Sequence, residues 1–130
     1  QNLSRFSNLN LLDTFSLGRE DVGGMLEHFV LTELLSLNSS FLPRSWSKDN
    51  QSGSVDFVFS MGRDVFAIEV KSSLTFKKKF VSSLNTYKKY YPKSNLILTN
   101  LDYGRRCKSN DYEILNIPVY QLYHYLNHWG

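Results

Sequence analysis

A chain of 130 residues with 42% hydrophobic and 21% charged content can bury one core, and two independent domains are excluded by size. No apolar run approaches the roughly 20 residues that cross a bilayer and no segment has the form of an export signal, so the chain reads as soluble and cytoplasmic with no membrane partner. The only cysteine, Cys107, rules out an intrachain disulfide, a zinc ribbon and a redox pair.

The formal net charge of +3 is small, but its distribution is uneven. Lys71, Lys77, Lys78, Lys79, Lys88, Lys89 and Lys93 fall in a stretch without a single acid, while acids outnumber bases over the rest of the chain. One segment is thus a basic strip on a slightly acidic protein. The chain starts at Gln1 and not at a methionine, as expected of a piece of something longer.

Residues 1–18, rich in Asn, Ser and Leu without a sustained period, read as a linker or the tail of a preceding domain; residues 19–130 read as the domain. From Asp21 to Leu37 the apolar residues Val22, Leu26, Phe29, Val30, Leu34 and Leu37 recur at helical spacing, with acids in the first turn where the helix dipole favours them. A tract with Pro43 and a short strand-like piece at Ser45 to Ser47 follows. Two strands, Ser54 to Ser60 and Val65 to Lys71, are joined by Met61, Gly62, Arg63 and Asp64 as a hairpin. A second helix is expected from about Thr75 to Tyr90, with Phe76, Phe80, Leu84, Tyr87 and Tyr91 on one face and Pro92 as its stop.

Asn95 to Thr99 is a short apolar strand, and strand, helix, strand in that order predicts a parallel crossover. Asn100 to Asn110 reads as a polar loop, Tyr112 to Leu115 as a further strand, and Val119 to Trp129 as an aromatic-rich closing helix. The expected fold is α/β, a short mixed sheet flanked by helices.

Side chains alternate across a strand, so Phe66, Ile68 and Val70 share one face while Ala67, Glu69 and Lys71 share the other. In the preceding strand Val55, Phe57 and Phe59 are expected on one face, with Asp56 opposite them. If the bulky faces coincide, Asp56 emerges beside Glu69 and Lys71, next to the small Ala67. Hard oxygen ligands from Asp56 and Glu69, with the carbonyl of Val70, suit Mg²⁺ or Mn²⁺. An ammonium at Lys71 suits stabilisation of phosphoryl charge. A Glu-x-Lys alone is weak evidence, since a solvated ion pair at a strand end has the same spacing; the acid on the adjacent strand and the basic helix that follows strengthen it.

Ser-Val-Asp-Phe-Val-Phe at 54–59 and Ala-Ile-Glu-Val-Lys at 67–71 resemble the two signature strands of the PD-(D/E)XK, or restriction-endonuclease-like, superfamily. Gly-Met-Leu-Glu-His-Phe-Val-Leu-Thr-Glu-Leu at 24–34, Leu84-Asn85-Thr86-Tyr87 and Asn116-Ile117-Pro118-Val119-Tyr120 extend the resemblance to one branch, an uncharacterised domain C-terminal to the AAA ATPase module of bacterial and archaeal proteins. Val55 stands where the superfamily has proline, and Ser54 where this branch often has an acid. The resemblance implies a restriction-endonuclease-like sandwich, Asp56 and Glu69 as metal ligands, Lys71 as the catalytic lysine and Glu27 as the first-helix acid. It also implies an ATPase module on the same chain and a Mg²⁺-dependent nuclease with DNA as the favoured substrate. The alternative is a catalytically idle module that binds nucleic acid or a partner and regulates the ATPase.

Other residues weigh less. Glu33 falls on the apolar face of the first helix and is as well explained by structure as by a site. His124 and His128 have a metal-compatible i, i+4 spacing but no carboxylate to complete it, and His28 reads as surface. Lys77, Lys78, Lys79, Lys88 and Lys89 are candidates for phosphate contacts, which Arg105 and Arg106 would extend. The tyrosines at 87, 90 and 91 are assigned to packing.

Overall fold

Helix α1 (Arg19–Leu37) leads to strand β1 (Arg44–Ser47) and the hairpin of β2 (Ser54–Met61) and β3 (Asp64–Val70). A 3-10 turn (Lys78–Val81) continues as α2 (Ser82–Tyr90), followed by β4 (Asn95–Asn100), β5 (Arg105–Ser109) and β6 (Tyr112–Pro118). A second 3-10 turn (Val119–Gln121) opens into α3 (Leu122–Asn127). The structure is a computed structural model that describes residues 19–38, 43–48, 54–73, 77–101, 105–109 and 112–129. The linker expected over residues 1–18 lies outside the described residues, as do Thr75 and Phe76 at the expected start of the second helix.

One six-stranded sheet has the order β1-β2-β3-β4-β6-β5. β3, β4 and β6 are parallel and the remaining pairs antiparallel, so the sheet is mixed. The central strands are apolar on both faces, as parallel strands covered from both sides must be. On one side Leu26, Phe29, Val30 and Leu34 of α1 and Leu122 and Leu126 of α3 pack on Phe59, Phe66, Ile68, Val70, Ile97 and Ile117. On the other, Val81, Leu84 and Tyr87 cover Val55, Ala67, Leu96, Leu98 and Ile114. This is the helix–sheet–helix sandwich that the alternating patterns imply.

The hairpin turn needs its glycine. Met61 pairs with Asp64, leaving a two-residue connection in which Gly62 has φ +62°, a conformation that strains any other residue. Trp129 closes this end by donating its indole N–H to Asp64 at 2.8 Å.

Four expectations need correction. Val55 does not share a face with Phe57 and Phe59: it packs with Ala67 and Val58 on the α2 side. The cause is a β-bulge. Arg44 pairs with Val58 and Trp46 with Val55, so Asp56 and Phe57 together oppose Ser45, and the alternation of β2 resets at that point. The polar loop expected over Asn100 to Asn110 contains β5, whose charged sequence hides its pairing with β6. The strand expected at Tyr112 to Leu115 runs on to Pro118. Tyr91, expected on an apolar face, stacks on Tyr87 but is 48% exposed, because α2 ends before it.

Candidate metal and phosphate site at the open end of the hairpin

The backbone ladder between β2 and β3 runs from Met61↔Asp64 to Phe57↔Ile68 and ends there. Beyond it, side chains take over. Val70 donates its amide N–H to Asp56 Oδ2 at 2.8 Å, and Asp56 donates its own to Glu69 Oε1 at 3.3 Å. Asp56 and Glu69 thus lie side by side where the register would continue. Lys71 completes the group, with Nζ 3.1 Å from Glu69 Oε2 and 5.8 Å from the centre of the Phe80 ring. Its backbone is fixed from β4, since Lys71 donates its amide N–H to the Thr99 carbonyl at 3.0 Å. Asp56, Glu69 and Lys71 therefore meet where the sequence places them, although Val55 beside them takes the other face.

The electrostatics are tense. Burial, and secondarily the Asp56 charge, push the Glu69 carboxyl up to about 7 despite its ion pair with Lys71. Burial also raises Asp56, opposed by the Val70 amide and the Lys71 charge. Two half-dry carboxylates side by side with one ammonium leave excess negative charge, and a divalent cation would relieve it. Asp56 and Glu69 offer the hard oxygens that Mg²⁺ takes, and the Val70 carbonyl lies between Glu69 and Lys71 in sequence. Among the described residues no group of three His, Cys, Asp or Glu side chains is gathered closely enough to hold a metal. Two carboxylates suit a hard cation that retains several waters, as Mg²⁺ does.

Glu27 approaches this group from α1. Burial raises its carboxyl first, Asp56 raises it further and Lys71 lowers it, so it feels both charges of the site. The N-terminal part of α1 passes the end of β3: a Cβ added at Gly23 would lie 3.8 Å from Ser72 Oγ. Glu33 does not join. It is buried, and burial alone pushes it up to about 7, without a contribution from Asp56 or Lys71.

Lys77, Lys78, Lys79 and Lys89 are exposed, and the first three directly precede Phe80, whose ring faces Lys71. Lys88 is half-buried, its ammonium directed at the Ser94 carbonyl at 2.5 Å and its pKa lowered by burial. β5, which carries Arg105 and Arg106, forms the sheet edge opposite β1. The two C-terminal histidines serve each other: their ring centres are 4.2 Å apart, and His128 Nδ1 is 2.9 Å from the His124 carbonyl. Sequence reasoning did not expect the burial of Asn85, Asn100 and Asn116. The available signal was the apolar run of strands in which Asn100 and Asn116 lie.

No helix is long and apolar enough to cross a membrane among the described residues. A comparison with the curated proteins finds no match. Among solved structures, the chain is similar to Can2 from Sulfobacillus thermosulfidooxidans in complex with cyclic tetra-adenylate, at 19% identity and a TM-score of 0.48. The match covers 84% of this chain and 37% of Can2, so the chain spans little more than a third of that protein's length. The sequence of residues 22–122 matches the family described as domain of unknown function DUF4143. With most of its length so matched, the chain belongs to the DUF4143 family.

Proposed function

We propose that this domain is a PD-(D/E)XK-type, Mg²⁺-dependent phosphodiester hydrolase acting on nucleic acid, DNA being the favoured substrate, and that it works beside an ATPase module of the same longer protein. The observation that carries the reading is the meeting of Asp56, Glu69 and Lys71 at the point where the β2–β3 ladder gives way to side chains. A solvated ion pair would not need a buried Glu69 or an Asp56 carboxylate that accepts from the Val70 amide.

Asp56 and Glu69 would hold the cation; Mn²⁺ offers the same coordination. Bound there, it would supply Lewis-acid stabilisation of a phosphoryl oxygen and a lowered pKa for water. The chain's own groups do the rest. Lys71, anchored by Glu69 on one side and lying near Phe80 on the other, presents a fixed positive charge to the scissile phosphate. Such a charge stabilises the transition state more than the ground state, because negative charge grows on the phosphoryl oxygens there. Glu27 orients a nearby water or accepts its proton, a role suited to a carboxyl raised above its ordinary value. Lys77, Lys78 and Lys79 hold flanking phosphates.

Divalent metal binding is the first test. Mg²⁺ or Mn²⁺ at millimolar concentration should raise the melting temperature by preferential binding to the folded state, and Asp56→Ala should abolish the shift. A wild-type protein that shows no shift and no heat of binding would remove the metal-dependent reading and favour a catalytically idle binding module.

A further inference from the structure

We propose that the groove between β1 and α2 is a stacking platform for single-stranded nucleic acid, feeding the strand towards the Asp56–Lys71 site. That destination rests on the hydrolase reading; the binding itself does not.

The groove has a volume of about 440 Å³, and Arg44, Trp46, Val58, Ser60, Tyr87 and Tyr91 are among its lining residues. Its aromatic rings are already organised. Trp46 meets Tyr87 edge-on at 5.1 Å and Tyr90 at 5.8 Å, while Tyr91 stacks on Tyr87 at 4.7 Å. Tyr87 is buried and braces the others, whereas Tyr90 and Tyr91 are 53% and 48% exposed. Three large rings are thus held in place without being used up in the core, which lowers the entropic cost of stacking a further flat group on them.

Arg44 lines the groove, and two lysines adjoin its tyrosines in sequence. Arg44 is exposed on the outer strand of the sheet, and Lys89 and Lys93 are exposed at the end of α2 and in the turn after it. No acid occurs between Lys71 and Lys93. Aromatic faces interleaved with cations, with no carboxylate in the strip, match a chain that alternates flat bases with phosphates. A duplex keeps its base faces covered by stacking and cannot offer them. A purely apolar peptide partner would leave the cations unmatched.

The groove also points the right way. Trp46 pairs with Val55, the residue before Asp56, and Val58 and Ser60 lie two and four residues beyond Asp56 on β2. At about 3.3 Å per residue, Val58 and Ser60 lie within roughly 7 and 13 Å of Asp56 along the β2 backbone. Val55, Val58 and Trp46 all pack on the α2 side of the sheet, the side shared by Ala67, and Glu69 and Lys71 follow Ala67 at alternate positions on β3.

The test uses the intact chain in EDTA, so that binding is read without cleavage. Its two tryptophans respond differently, because Trp129 packs on Phe66 on the opposite side of the sheet. An oligothymidylate should quench Trp46 emission and bind at least about tenfold more tightly than a duplex of equal length or an abasic phosphodiester chain. The double variant Tyr90→Ser, Tyr91→Ser should weaken that binding about tenfold or more with its melting temperature little changed. Should the variant fold poorly, the ratio of oligothymidylate to abasic affinity in the wild type decides alone. Equal affinity for the abasic chain or the duplex, unchanged Trp46 emission, or no binding would each overturn the platform. The hydrolase reading fails separately, as a protein that binds the single strand but never cuts it when Mg²⁺ is supplied.

Discussion

The two ends of the β2–β3 hairpin are built on opposite plans. At the turn end five residue pairs keep strict register from Met61↔Asp64 to Phe57↔Ile68, Gly62 takes the left-handed turn, and Trp129 fastens Asp64. At the open end the β2–β3 ladder stops, β2 bulges against β1, and carboxylates replace the next backbone partners. Regular pairing satisfies the backbone with itself and leaves nothing over. The broken pairing draws charged side chains into a half-buried place and holds them there, at a cost in desolvation that the regular end, with its packed aromatics, must offset.

That contrast predicts that damage at the turn end is felt as stability and damage at the open end as function. The largest effect is expected at Phe66, which is fully buried, stacks on Phe59 at 5.5 Å and meets Trp129 edge-on at 4.9 Å. Phe66→Ala should cost about 3–5 kcal/mol in chemical denaturation, while the fraction that remains folded should bind metal as the wild type does. A fall in metal affinity in that folded fraction would show that the two ends are not separable.

A smaller effect is expected on the basic surface. Changing Lys77, Lys78 and Lys79 together to Gln should leave the melting temperature nearly unchanged, because all three are exposed. It should flatten the slope of log affinity for nucleic acid against log salt by about 0.7–0.9 for each phosphate that is no longer neutralised. A slope equal to that of the wild type would make these lysines a solvated face and nothing more.

Glu33 provides the finest comparison, a buried acid away from the site. Its folded pKa, pushed up to about 7 by burial, lies above the ordinary value of 4.5 expected in the unfolded chain. The folded state therefore holds the proton more tightly. The stabilising contribution is fully present below about pH 4.5 and is lost as pH rises through about 7. Glu33→Gln should be more stable than the wild type at pH 8, close to it at pH 4.5, and unaltered in metal binding. Equal stability gains at both pH values would show that the carboxyl is not the cause.

Much of this was legible in the sequence. Helical spacing of Leu26, Phe29, Val30 and Leu34 marked α1, and alternation in β3 put Phe66, Ile68 and Val70 on one face because that strand is regular throughout. The hairpin was readable from Gly62 and its flanks. The bulge was not, since it depends on how β1 pairs with β2, and only four residues of β1 exist to announce it. For β5 the reason is different: it is an edge strand, and its sequence Arg105-Arg106-Cys107-Lys108-Ser109 carries no apolar alternation to announce it. Asp56, Glu69 and Lys71 were found because each lies in or beside a strand whose apolar neighbours fix it. The aromatic groove was missed because Tyr90 and Tyr91 look like core until the end of α2 leaves them outside it.

The role of Lys71 bears most directly on the proposed chemistry, since a charge that acts on phosphate and one that merely neutralises Glu69 would occupy the same place. Lys71→Met keeps the length and apolar stem of the side chain and deletes its charge. Single-turnover cleavage of a labelled single-stranded oligonucleotide, with Mg²⁺ saturating, should slow by about 100-fold or more, the scale on which removing one preorganised electrostatic interaction acts. Because Lys71 is partly exposed, with 38% of its side chain accessible, stability should fall by no more than about 1 kcal/mol. A variant that binds metal and cuts at the wild-type rate would take Lys71 out of the mechanism, and with it the reading of this hairpin end as a hydrolytic site.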